Sequence, residues 1–196
     1  MLFYSQASQD EFVYNMSSRS NNGTFLDIGS GPPDVHSNTF YLEQQGWTGV
    51  CIDVSDYDYS SRTCKFYKKD ALKVDYAELL LESKFSGVID YLSLDIDKFT
   101  YDCLTKIPLQ LYTFKIITIE HDSYIFQDKL RAPQRKLLLE HGYYPICTDV
   151  TCLPLRPSQY FEDWWVHPSY IDVDKFSHIK SDKENCQSII RKFNKK

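Results

Sequence analysis

Short β-branched and aromatic runs alternate with stretches of helical period along most of this chain, and that alternation constrains the fold most. The runs GTFLDI (23–28), TGVCIDV (48–54), CKFYKK (64–69), GVIDYLSLDI (87–96), TFKIITIE (113–120) and YYPICTDV (143–150) are apolar and bounded by polar residues. Such runs read as strands buried in a sheet. Between them, 36–46, 74–84, 100–107 and 130–141 have the spacing of helices, and Gly46 and Gly142 sit where a left-handed helix end belongs. This pattern predicts an α/β fold, Rossmann-like, with a mainly parallel central sheet and helices on both faces. Residues 7–19 predict a short helix before the first strand. The aromatic segment SQYFEDWWVHP (158–168) predicts an antiparallel edge strand, and 171–196 a weaker helical appendage. With no linker or repeat, the 196 residues read as one domain.

Composition narrows the partners. Hydrophobic residues make up 42% of the chain, enough for a core without staples. A formal net charge of −5 opposes a long phosphate backbone as main partner, so nucleic acid is not expected. The basic end IIRKFNKK reads as a solvated helix tail. No apolar run reaches the roughly eighteen residues of a membrane span, and MLFYSQASQDEF turns polar too early for a secretory leader. The expectation is a cytoplasmic protein with no membrane insertion. Six cysteines without a CxxC pair read as buried, reduced thiols.

The segment GTFLDIGSGPPDVHSNT (23–39) carries the first chemistry. A strand entering a tight glycine turn, here at Gly29 and Gly31, lets a ligand approach backbone at the carboxyl end of a sheet. A dinucleotide site needs a third glycine and free N–H groups facing pyrophosphate. Here Pro32 and Pro33 stand at the mouth of the following helix, and proline has no N–H to offer. The turn therefore suits a ligand without phosphate. S-Adenosylmethionine qualifies, and its positive sulfonium and amino groups favour a carboxylate such as Asp27. Asp53, ending the second strand, is placed to take ribose hydroxyls. Asp70, after the third, is placed to meet an adenine amino group. An ordinary strand-to-helix turn is the plain alternative.

The ordered set YSQASQD, FLDIGSGPP with SNT, GWTGVCIDV, YLSLDID, IITIEHDSY, LLLEHGYYPICTDV and FEDWWVHP, across residues 3 to 168, resembles the FkbM-type methyltransferases. The resemblance implies a class I methyltransferase fold and an S-adenosylmethionine-dependent O-methyltransferase acting on a sugar or glycan. It assigns the cofactor to Asp27, Gly29, Gly31, Asp53 and Asp70, and makes the front segment, with Gln6, Gln9 and Asp10, part of a lid helix over 1–20. It also implies work beside a glycosyltransferase or within a larger glycan-building enzyme. The fourth strand departs from the commoner family form: Ser93 stands for lysine, Asp97 for glutamate and Lys98 for glycine.

Methyl transfer needs alignment and an activated acceptor hydroxyl. Asp95 and Asp97 close the fourth strand run, and Glu120, His121 and Asp122 close the fifth, so these groups are expected on one rim. Glu120 and His121 point to opposite faces if the strand continues. Two readings stay open. In one, Asp95, Glu120, His121 and Asp122 hold Mg²⁺, Mn²⁺ or Ca²⁺, which suit oxygen ligands. In the other, His121 or Asp97 is the general base without a metal. For the acceptor, one of Trp164 and Trp165 would be core and the other a wall for a sugar ring, with His167 and Arg131 as further contacts. For Arg131, and for Arg135 in the same helical neighbourhood, helix-surface ion pairing is an alternative of at least equal weight. Rival functions are a methyltransferase of another small molecule or of RNA ribose, a nucleotide-linked oxidoreductase or epimerase, and a binding module without catalysis.

Overall fold

A computed structural model describes residues 2–153 and 158–194. In chain order the elements are α1 (Gln9–Met16), β1 (Thr24–Ile28), α2 (Phe40–Gln44), β2 (Thr48–Asp53), β3 (Lys65–Lys68), α3 (Tyr76–Glu82), β4 (Val88–Leu94), α4 (Thr100–Leu104), β5 (Thr113–Glu120), α5 (Ser123–Phe126), α6 (Asp128–Glu140), β6 (Tyr144–Val150), β7 (Glu162–Val166), β8 (Ser181–Asp182) and α7 (Cys186–Phe193). The eight strands form one sheet in the order β3-β2-β1-β4-β5-β7-β6-β8, and β7 alone runs antiparallel to its neighbours. The order reverses between β1 and β4. In open α/β sheets that reversal leaves a crevice at the carboxyl ends of the strands.

Alternation of side chains divides the core. Leu26, Val50, Leu92, Ile117 and Trp165 face one side, where α3, α4 and α6 supply Leu79, Leu104 and Leu138. Phe25, Cys51, Tyr91, Ile116 and Trp164 face the other, under α1, α2 and α7. Phe12 of α1 stacks on Trp164 with ring centroids 4.4 Å apart. The α/β architecture with helices on both faces is therefore as the alternation predicts.

Four expectations change. The antiparallel strand is internal, between β5 and β6, because all five of its residues are buried and both tryptophans need cover. The predicted helix over 36–46 shortens to Phe40–Gln44, and the prolines lie in a bend ahead of it. Arg62 holds that bend in place: its guanidinium donates to the Pro33 carbonyl (2.6 Å), Ser37 Oγ (3.2 Å), Thr39 Oγ1 (3.1 Å) and Glu43 (2.8 Å). The front segment is core rather than lid. Gln9 and Asp10 are buried; Gln9 donates to Glu162, and Asp10 accepts from Tyr4 N (2.6 Å) and Ser5 Oγ (2.5 Å), while Gln6 is exposed. The 171–194 segment likewise buries Ile179, Ile189 and Ile190, so it completes one face of the sheet. Lys195 and Lys196 lie outside the described residues. Among those described, no helix is long and apolar enough to cross a membrane. All six cysteines are free, and only Cys64 is more than slightly exposed.

Candidate functional site

The carboxyl ends of β1, β2, β3 and β4 enclose a cleft of about 610 Å³, within the usual range for small-molecule sites. Gly29, Asp53, Asp70, Asp95 and Asp97 line it, between apolar walls that include Val54 and Phe99. Gly29 adopts φ +77°, and a Cβ there would collide with the Asp95 carbonyl oxygen. Its lack of a side chain thus lets the ends of β1 and β4 meet at the switch point, where the Gly29 N–H donates to Ile52 O and the Asp95 N–H to Ile28 O. Gly31 is left-handed too, at φ +62°, with open space beside it. Its N–H donates to Asp53 Oδ2 at 2.9 Å, and Asp53 Oδ1 accepts from Ser55 N at 2.8 Å. One carboxylate therefore fixes both the glycine turn and its own orientation in the cleft. Asp70 caps a short 3₁₀ turn, Ala71–Lys73; the bond from Leu72 N holds its carboxyl below the usual range.

Asp27 takes a different position. It is buried beneath the turn, accepts from Thr39 Oγ1 at 2.7 Å, and does not line the cleft. Burial pushes it up to about 6 despite bonds from Thr39 and Ser93. Gly31 also lies outside the lining, and both residues shape the turn from behind.

The acidic rim assembles next to the cleft. Asp97, Glu120 and Asp122 bring one carboxylate oxygen each within 4.8 Å of one another. Asp95, which lines the cleft, hydrogen-bonds Glu120. Desolvation and the neighbouring Asp95 drive Glu120 up to about 12, so at neutral pH the two carboxyls share a proton. Asp95 is also raised: the surrounding protein strips water from it, although much of its surface stays open to the cleft. Desolvation raises Asp122 to about 6, with Asp95 adding to the effect. Glu120 Oε2 is buried with no hydrogen-bond partner. Such a set of oxygens matches a hard divalent cation, and its mutual repulsion is what a cation or a bound proton relieves.

His121 is not part of this rim. Side chains of adjacent residues on a strand face opposite ways, and the imidazole is wholly buried on the far side. Its Nδ1 accepts from Ser123 N at 3.2 Å, and its Nε2 lies 3.4 Å from Asp163 and 3.6 Å from Asp149. Arg135 binds Asp163 through two nitrogens (2.7 and 2.8 Å) and Asp149 at 2.9 Å, while Arg131 pairs with Asp149 at 2.7 Å and with Asp128. This is a buried ionic tie between α6, β6 and β7. Two guanidiniums already balance its carboxylates, which disfavours a cation there. Arg131 thus has the ion-pair role, and His121 is neither on the rim nor within reach of the cleft.

The other acceptor assignments also move. Trp164 and Trp165 are 0% and 1% exposed, on opposite faces of β7, and Trp164 Nε1 donates to Glu162 Oε2 at 2.7 Å. Neither can wall an acceptor site. His167 follows β7, and since that strand runs backwards it lies at the opposite end of the sheet, packed edge-on against Tyr143. His141 Nδ1 contacts Leu137 O at 2.9 Å, a helix-end role. Sequence reasoning missed Arg62, Glu162 and Tyr124, since nothing local distinguishes them from surface charges or a loop aromatic, while Arg135 takes the ion-pair role that was one of its two readings. Comparison of the chain with family models finds no match, and comparison with curated proteins finds none. Fold and site define an α/β protein with a mostly parallel sheet and a carboxylate-lined cleft at its topological switch point.

Proposed function

We propose that this chain is an S-adenosylmethionine-dependent O-methyltransferase of the class I fold that methylates a hydroxyl of a sugar or glycan. One observation carries the reading. Asp97 belongs both to the cleft shared with Gly29, Asp53 and Asp70 and to the cluster with Glu120 and Asp122, and Asp95 of the cleft interacts with Glu120, so a cofactor cleft and a proton-accepting rim share a wall. The turn offers no array of N–H groups for pyrophosphate, because Pro32 and Pro33 follow it and the Gly31 N–H is taken by Asp53. That supports a phosphate-free cofactor over a dinucleotide. Four aspartates, Asp53, Asp70, Asp95 and Asp97, line the cleft against one lysine, Lys69, an acidic excess that complements positive groups on the ligand.

S-Adenosylmethionine, when bound, would supply an electrophilic methyl on its sulfonium, with the thioether S-adenosylhomocysteine as the leaving group when an acceptor oxygen takes the methyl. The residues do the rest. Asp53 and Asp70 bind hydroxyl and amino donors along the cleft, and Gly29 keeps Asp95 close to its floor. Asp97, exposed on the rim, takes the hydroxyl proton on a carboxylate oxygen. Its neighbours Asp95 and Glu120 already share a proton and cannot serve as freely. In the metal-dependent alternative, Asp97, Glu120 and Asp122 would instead hold a divalent cation in place of that proton, and the cation would lower the pKa of a bound hydroxyl. Incubation with methyl-labelled S-adenosylmethionine and mono- and oligosaccharides, read by mass, tests the activity. The reading predicts a gain of one methyl group that Asp97→Asn reduces at least about a hundredfold, the usual scale of a general base. Absence of transfer to every sugar contradicts it. Activity undiminished by thorough chelation removes the cation from it.

A further inference from the structure

We propose that α5 is the acceptor clamp of this site, with the Tyr124 ring as the wall on which a sugar ring packs; this rests on the methyltransferase reading above. The four-residue helix follows β5 directly, and Asp122 of the acidic rim is the residue that opens it. Tyr124 is 38% exposed and Ile125 56%, an aromatic and an aliphatic side chain side by side in solvent. The Tyr124 hydroxyl lies close enough to the Asp122 carboxylate, a member of the cluster, for the two to perturb each other, which puts the ring beside the groups that receive the hydroxyl. Both ends of α5 are backbone positions that L-residues disfavour: Asp122 at φ 42°, ψ 50°, and Gln127 at φ 55°, ψ −133°. Strain of this kind persists where the surroundings hold it, and it gathers at ligand clamps. Ser123 supplies part of that hold, since its hydroxyl donates to Tyr160 O at 3.0 Å. With both tryptophans buried, Tyr124 is an aromatic beside the Glu120–Asp122 side of the rim that remains open to a ligand, while Phe99 belongs to the cofactor side of the cleft. Carbohydrate fits this chemistry: an aromatic face takes the C–H side of the ring while carboxylates take its hydroxyls.

The test uses the full chain and uncharged methyl glycosides of common hexoses and deoxyhexoses, with S-adenosylhomocysteine titrated separately. Tyr124→Ala is expected to raise the KM for an accepted glycoside about tenfold, the scale of one lost ring contact. The kcat and the S-adenosylhomocysteine affinity should stay within about threefold of wild type, which is roughly half a kcal/mol or a little more. Tyr124→Phe, which keeps the ring, should restore most of the KM. Matched thermal melting shows that each variant is folded. If a glycoside is methylated and neither Tyr124→Ala nor Ile125→Ser changes its KM, the clamp is overturned and the function stands. If S-adenosylhomocysteine binds but no glycoside is methylated, the sugar acceptor and the clamp fall together. If S-adenosylhomocysteine does not bind, the function itself falls, and the clamp with it.

Discussion

Gly29 and Gly31 look alike in sequence, and the structure gives them different tasks. Both have left-handed backbones, but a side chain at Gly29 meets the Asp95 backbone, whereas one at Gly31 meets open space. Gly31→Ala should therefore cost only the left-handed penalty, about 1–2 kcal/mol. Gly29→Ala must separate β1 from β4, and it should lower the melting temperature further and abolish ligand binding in the cleft. Equal losses in thermal melts of the two variants would refute the distinction. The glycines, Asp53 and Asp70 were legible in the sequence because strand ends and turns have local signatures. The inward turn of Asp27 was not: it depends on Thr39 and Ser93, which approach only in the folded chain. The exclusion of His121 was half legible, since strand alternation already set it opposite Glu120, but only the fold shows Asp163 and Ser123 enclosing it.

Among the elements, β7 and α6 depend on each other through the Arg135–Asp163 pair. Burial alone would raise the Asp163 carboxyl; the two bonds from Arg135, with the His121 imidazole nearby, overcome it and hold the group at about 2. The stability this gives is present above the ordinary aspartate value near 4 and is lost as pH falls toward 2. Arg135→Ala leaves a buried carboxylate without its main partner and should cost about 3–5 kcal/mol in chemical denaturation at neutral pH. A loss under 1 kcal/mol would show that the tie is incidental. Strand and helix positions were mostly legible from periodicity. The internal place of β7 was not, because period-two alternation says which side chains face each way and nothing of which strand lies next door. The short α2 has a physical cause as well: Arg62 takes the Pro33, Ser37 and Thr39 oxygens and fixes 33–39 as a bend instead of a helical turn.

Across the whole molecule, several acids are raised by burial, and they share one consequence. Glu162, buried under α1 and bonded to Gln9 and Trp164, is raised by desolvation from 4.5 to about 8. Its folded form binds a proton that the unfolded chain gives up earlier. Its contribution is therefore complete below pH 4.5 and declines as pH rises to about 8, by on the order of 1 kcal/mol per pH unit. Glu162→Gln keeps the acceptor for both partners without a charge, so it should stabilise the protein at pH 8 and change little at pH 5. A variant less stable at pH 8 than wild type would contradict this. The central claim concerns the cleft at the tips of β1 to β4. Isothermal titration of the wild-type chain and Asp53→Ala with S-adenosylhomocysteine tests it most directly. The account predicts one site per chain and a loss of affinity of about tenfold or more in the variant, the value of a hydrogen bond to a charged group. No binding to the wild type, or binding that Asp53→Ala leaves unchanged, would contradict it.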